Sequence, residues 1–124
     1  MGVSIDTSQL DELADDLAEV PDETRPKFRK VVERGALKVK NDLRDEAQGG
    51  QSYRHFPRSI SYDMIGEFEA EIGPDKARIQ GALGNILYFG TSKNGPVLPP
   101  IEGPLDRETP RMMDAIGDVA EDIL

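Results

Sequence analysis

The feature that most constrains the fold is an apolar stripe within residues 23–48. Apolar side chains recur there at the three- and four-residue spacings of an α-helix with one buried side: Phe28, Val32, Ala36, Val39 and Leu43, widened by Val31 and Leu37. Pro26 is tolerated in a first helical turn, and Gly49-Gly50 ends the pattern. The spacing predicts a long helix that is basic on its outer side, with Gly35 at a close packing contact.

Residues 1–22 carry the pattern of an acidic helix that precedes the basic one. Val3-Ser4-Ile5 is a short strand or an arm, and the polar residues 6–8 are suited to cap a helix. Apolar residues then form one stripe: Leu10, Leu13, Ala14, Leu17 and Val20. Pro21 ends this helix or opens the next.

Residues 59–72 alternate apolar and polar side chains around Gly66, which is the pattern of a β-hairpin with one covered face. The covered face is expected to hold these side chains: Ile60, Tyr62, Met64, Phe68, Ala70 and Ile72. Gly73-Pro74-Asp75-Lys76 is a turn signal. Residues 77–80 are expected to give a third strand.

A last helix is predicted for residues 102–124. Its apolar residues fall close to helical spacing: Leu105, Met112, Ile116, Val119, Ile123 and Leu124, flanked by Met113 and Ala120. Pro110 starts the regular part of this helix or bends it. The predicted fold class is α+β, with two N-terminal helices and a C-terminal helix packed on a small antiparallel β-sheet, in a single domain of residues 1–124.

The stretch from Gln80 to Pro100, within a β-hairpin and Gly/Pro-rich region of residues 58–101, holds a single charge, Lys93. Four apolar residues are expected to anchor it on the sheet and the last helix: Leu83, Ile86, Leu87 and Phe89. Residues 91–97 are expected to face outward. The candidate interaction segment is therefore made of Tyr88, Gly90, Thr91, Ser92, Lys93 and Asn94. The glycine spacing differs from that of a phosphate-binding P-loop.

Charge and composition disfavour several classes of function. Residues 1–24 have eight acids and no lysine or arginine, residues 25–58 have a net charge of +6, and residues 102–124 have a net charge of −5. His55 is the only histidine and there is no cysteine, so no catalytic residue, cofactor site or metal site is predicted. The chain has no apolar run long enough for a transmembrane helix and is acidic overall. We therefore expect no membrane partner and no sequence-specific nucleic acid.

Residues 28–124 resemble the neck and tail-completion proteins of long-tailed bacteriophages, also grouped as minor tail or head–tail joining proteins. The resemblance depends on an ordered set of motifs: small residues at Gly35-Ala36, a step into a strand at Arg58-Ser59-Ile60, a strand end at Glu71-Ile72-Gly73-Pro74, residues 82–87 leading to Tyr88-Phe89-Gly90-Thr91, and a Pro-rich approach to a helix at residues 105–111. The chain has Tyr88 where this family commonly has an acid. Gly49-Gly50-Gln51-Ser52 stands in place of the family's Pro-x-x-Thr-Gly step.

The resemblance implies assembly and no enzymatic activity. Such a protein forms a ring, sixfold symmetric to match the tail, and docks to connector, head-closure and tail-tube proteins. It is located in the neck or tail of the virion after assembly in the host cytoplasm. The acidic and basic segments offer complementary patches to neighbouring copies. The alternative from charge alone is an acidic binding module, such as a DNA mimic that inhibits a nucleic-acid-binding protein.

Overall fold

The computed structural model describes residues 2–5 and 22–123. Its elements, in chain order, are strand β1 (Val3–Ile5), helix α1 (Arg25–Glu46), a 3-10 turn (Phe56–Ser59), strands β2 (Ile60–Met64) and β3 (Ala70–Pro74), a second 3-10 turn (Gly81–Leu83), and helices α2 (Gly84–Phe89) and α3 (Gly103–Ile123). The described elements form an α+β fold, as predicted. The acidic helix predicted within residues 1–22, the first of the two N-terminal helices, lies outside the described residues.

Helix α1 confirms the predicted stripe. Its five apolar positions are buried together with the small residue between them: Phe28, Val32, Gly35, Ala36, Val39 and Leu43. Pro26 lies in the first turn, where its missing N–H leaves no hydrogen bond unmade. Gly49 follows the end of the helix with φ +100°, a conformation that glycine adopts without steric cost. Leu37 was expected to widen the stripe and is exposed.

Gly35 allows α3 to approach α1 closely. A Cβ atom at Gly35 would collide with the side chain of Met112, which is buried on α3. The close contact predicted for this glycine is therefore confirmed. Where α1 ends, the Arg107 guanidinium on α3 donates a 2.8 Å hydrogen bond to Glu46 Oε1, so the C-terminal end of α1 lies beside the first turns of α3.

The sheet has three strands in the order β1-β3-β2, and both pairings are antiparallel. Tyr62 lies opposite Ile72 and Met64 opposite Ala70, so the predicted apolar face is correct. This face is covered by α1, whereas Asp63 and Glu71, also opposite each other, are exposed. Phe68 lies in the hairpin loop and not in a strand, but its ring still packs edge-on against the core through Phe28.

The third strand is β1, so the prediction of a strand at residues 77–80 is wrong. A turn forms there, because the Asp75 carboxylate accepts a hydrogen bond from the Ala77 N–H, and the Asp75 carbonyl accepts one from the Arg78 N–H. The turn also begins later than the Gly73-Pro74 signal indicated, since β3 continues to Pro74.

Helix α3 confirms the predicted C-terminal helix and runs through Pro110 as one element. Met112 and Ile116 are buried, Leu105 and Val119 are partly buried against the core, and Met113 is exposed. The core therefore lies between α1, the covered face of the sheet and one side of α3.

Candidate interaction surface

The segment after the sheet is built on a short helix that the sequence analysis did not predict. Gln80 takes φ +63°, and its side chain holds the preceding loop: its Oε1 accepts from the His55 N–H at 2.8 Å, and its Nε2 donates to the Ser52 carbonyl at 3.2 Å. The chain then enters the six-residue helix α2. Gly90 ends it with φ +77°, where a Cβ atom would meet the Asn94 carbonyl.

Tyr88 was predicted to be a contact residue and is instead part of the core. Its side chain is 5% exposed, and its ring packs edge-on against Phe56 with 5.9 Å between centroids. Burial, and then the nearby charge of Glu46, raises the pKa of the Tyr88 hydroxyl to about 12. Tyr88 is therefore a core residue and is not available as a contact residue.

Phe89 was predicted to be an anchor and is instead exposed, at 57%. Ile86, another predicted anchor, is 49% exposed, whereas Leu87 is buried and Leu83 is partly buried against the core. The reason is the helical period. Residues three apart on a helix share a face, so Ile86 and Phe89 lie together on the outer face once Leu87 and Tyr88 face the core.

Residues 91–94 form a tight turn that points outward, as predicted for residues 91–97. The Thr91 hydroxyl accepts hydrogen bonds from the backbone N–H groups of Lys93 and Asn94 at 3.3 and 3.1 Å. The Thr91 N–H donates to the Asn94 carbonyl at 2.7 Å. The candidate residues Thr91, Ser92, Lys93 and Asn94 are all exposed, and Gly90 is half-buried.

The chain returns from this turn to α2 and closes the segment on itself. The backbone N–H groups of Val97 and Leu98 both donate to the Leu87 carbonyl, at 3.0 and 2.9 Å. Leu98 is buried, but the Val97 side chain is 57% exposed. We call the outer side of this segment the 86–97 surface; it consists of Ile86, Phe89, Val97 and the turn of residues 91–94.

The signal for this surface was present in the sequence. Leu83 and Leu87 are four residues apart, and Ile86 and Phe89 are three apart, so helical spacing gives the two pairs different faces. Gly90 directly after Phe89 is a helix-ending residue. The Thr91 side chain, placed to bond the backbone two and three residues on, indicated the turn.

Metal binding, the surroundings of His55 and the polar groove on the sheet were considered in the described part of the chain. Among the described residues, no group of three or more His, Asp or Glu side chains could hold a metal ion. His55 Nε2 accepts a hydrogen bond from the neighbouring Arg54 side chain at 3.3 Å. A polar groove of about 220 Å³ on the open face of the sheet has a lining of Ser61, Asp63, Glu71, Gly73, Pro74, Asp75 and Lys76.

None of the helices within the described residues is long and apolar enough to cross a membrane. Comparison of the chain with protein-family models, curated proteins and solved structures finds no match.

Proposed function

We propose that the chain is a structural protein of the head–tail junction of long-tailed bacteriophages, a neck or tail-completion protein. In this proposal it assembles into a ring, sixfold symmetric like the tail, and docks to connector, head-closure and tail-tube proteins. The observation that carries the proposal is the 86–97 surface. It combines exposed apolar side chains with an internally bonded turn, in the segment that also carries the family-like motif Tyr88-Phe89-Gly90-Thr91.

The 86–97 surface has the properties of a protein contact. Ile86 and Phe89 are exposed apolar residues on one face of α2. Exposed apolar patches mark interaction sites on monomers, and aromatic residues such as Phe89 are enriched at interfaces. The turn of residues 91–94 is held by its own hydrogen bonds. Such preorganisation lowers the entropy lost when a partner binds.

The charge on the open face of the sheet supports the proposal that the protein lies beside DNA and does not bind it. Asp63 and Glu71 lie directly opposite each other across β2 and β3, and both are exposed. Like charges in such a pair are unfavourable for the sheet. A surface of this charge repels phosphate, so a ring that turned this face to its lumen would let DNA slide past.

Light scattering after size-exclusion chromatography tests the proposal, with the chain alone and mixed with any tail-tube and head-closure proteins that neighbouring genes encode. We expect a closed oligomer, alone or on one of these partners. Phe89→Ala should weaken it, and Lys76→Ala, at an exposed position outside the 86–97 surface, should leave it unchanged. A strict monomer at high concentration that binds none of these proteins would refute the proposal.

A second candidate function is an acidic binding module that mimics DNA. This function is favoured by an exposed acidic face on α3, which consists of Asp114, Asp118 and Glu121. The basic residues exposed on α1 oppose it. Displacement of DNA from a basic DNA-binding protein would support this candidate over the first.

A further inference from the structure

Helix α1 carries a row of cations on its outer face. Lys27, Lys30 and Arg34 are exposed and spaced by three and four residues, so they form one line along the helix. No described residue makes an ion pair with any of the three, although other cations of α1 are paired, such as Lys38 with Asp42. We call these three residues the cationic ridge; their mutual repulsion disfavours the helix unless a partner supplies negative charge.

Helix α3 carries the complementary row. Asp114, Asp118 and Glu121 are exposed and spaced by four and three residues. Within the described ranges, none of them has an ion-pair partner either, although α3 packs against α1 in the same chain. We call them the anionic ridge. Leu37, an exposed apolar residue three positions after Arg34, lies next to the cationic ridge.

The two ridges match when the helices run in opposite directions. The cationic spacing, read from Arg34 back to Lys27, is four and then three residues, which equals the anionic spacing from Asp114 to Glu121. The first and last residues of each ridge are seven positions apart, or about 10 Å along a helix axis. Antiparallel docking therefore brings all three charge pairs together at once: Arg34 with Asp114, Lys30 with Asp118 and Lys27 with Glu121.

We infer that the cationic ridge of one copy docks antiparallel on the anionic ridge of a second copy. The inference rests on the proposed self-association and names a contact for it. The occupant is a second copy because the same chain offers both ridges with matched spacing. A ridge and its counterpart are different surfaces, so the contact can repeat from copy to copy and close into a ring.

Charge exchange between the ridges tests this contact. One variant carries Lys30→Glu with Arg34→Glu, and the other carries Asp114→Lys with Asp118→Lys. A third variant combines all four changes. The control, Arg54→Glu with Lys76→Glu, alters net charge as much as the first variant at two exposed positions outside the ridges. Circular dichroism confirms that each variant folds, and sedimentation velocity at about 0.02 M and about 0.5 M salt measures association.

The wild type and the control should associate at low salt and dissociate at high salt. Each ridge variant alone should lose about tenfold or more in association constant, because like charges then face each other. An equimolar mixture of the two ridge variants, and the four-change variant alone, should regain association.

Association of the wild type that neither ridge variant alters would overturn this contact and leave the proposed self-association intact. Failure of the mixture to regain association would overturn it too. A wild type that is monomeric alone and with tail proteins would overturn both proposals. If copies associated only after the acids of residues 11–19 were neutralised, those acids would be the partner of the cationic ridge. That result would contradict the inferred contact.

Discussion

Alanine substitutions at the neighbouring residues Tyr88 and Phe89 test which of them belongs to the core and which to the contact surface. Tyr88 is 5% exposed and packs on Phe56, whereas Phe89 is 57% exposed. Removing a buried aromatic ring costs about 3–5 kcal/mol of unfolding free energy. A change at an exposed position away from special features usually alters it by less than about 0.5 kcal/mol. We therefore expect Tyr88→Ala to lose about 3 kcal/mol more than Phe89→Ala.

Urea denaturation followed by circular dichroism measures this difference. The free energy of a small domain falls by about 1–3 kcal/mol per molar urea, so a loss of about 3 kcal/mol lowers the midpoint by about 1–3 M. Tyr88→Phe is the matched control, since it keeps the ring that packs on Phe56, and its midpoint should stay near that of the wild type. Equal losses for Tyr88→Ala and Phe89→Ala, or a larger loss for Phe89→Ala, would refute the division between core and contact surface.

Three further predictions follow from single positions. The pKa of Tyr88 is raised to about 12 in the folded chain, against about 10 for an unfolded tyrosine. The neutral hydroxyl therefore contributes its full stabilisation below pH 10, and this contribution is lost as the pH rises towards 12. Tyr88→Phe should therefore flatten the fall in unfolding free energy measured by urea titration between about pH 10 and about pH 12; an unchanged slope would contradict the burial of this hydroxyl. Gly81→Ala should lower the free energy of unfolding by about 1–3 kcal/mol, because the new Cβ would collide with the Asp75 carbonyl. Gly117→Ala, which faces open space on α3, should raise it by up to about 1 kcal/mol. Similar thermal melts for the two variants would argue against the turn at residues 75–81. Lys93→Ala should leave the urea midpoint unchanged and weaken assembly in light scattering, with Lys76→Ala as the control; loss of stability without loss of assembly would reverse the role given to Lys93.

The long periodic elements were predictable from the sequence. The apolar stripe of α1 runs from Phe28 to Leu43 over about four turns, so its repeated spacing shows which side of the helix is buried. The hairpin was predictable because alternation places Tyr62 and Ile72 on the same face. Gly35 indicated a close contact, but the identity of its partner, Met112, depends on how two distant helices pack.

The candidate surface was only partly predictable. Helix α2 has six residues, so its period rests on a few spacings such as Ile86 to Phe89, and the predictions for Tyr88 and Phe89 were wrong. The third strand was wrongly predicted at residues 77–80. The real third strand pairs Val3 with Ile72, and these residues are far apart in the sequence. Local patterns carry no information about such pairing. The outward turn at Thr91 was predictable, since its side-chain bonds are local.

Native mass spectrometry of the chain mixed with any tail-tube protein that neighbouring genes encode tests the central claim most directly. If the chain is an assembly protein of the head–tail junction, we expect a complex that contains a ring with a fixed number of copies, six if its symmetry matches the tail. Phe89→Ala should weaken this complex. A chain that remains monomeric and unbound in this mixture, and likewise with the head-closure protein, would contradict the claim.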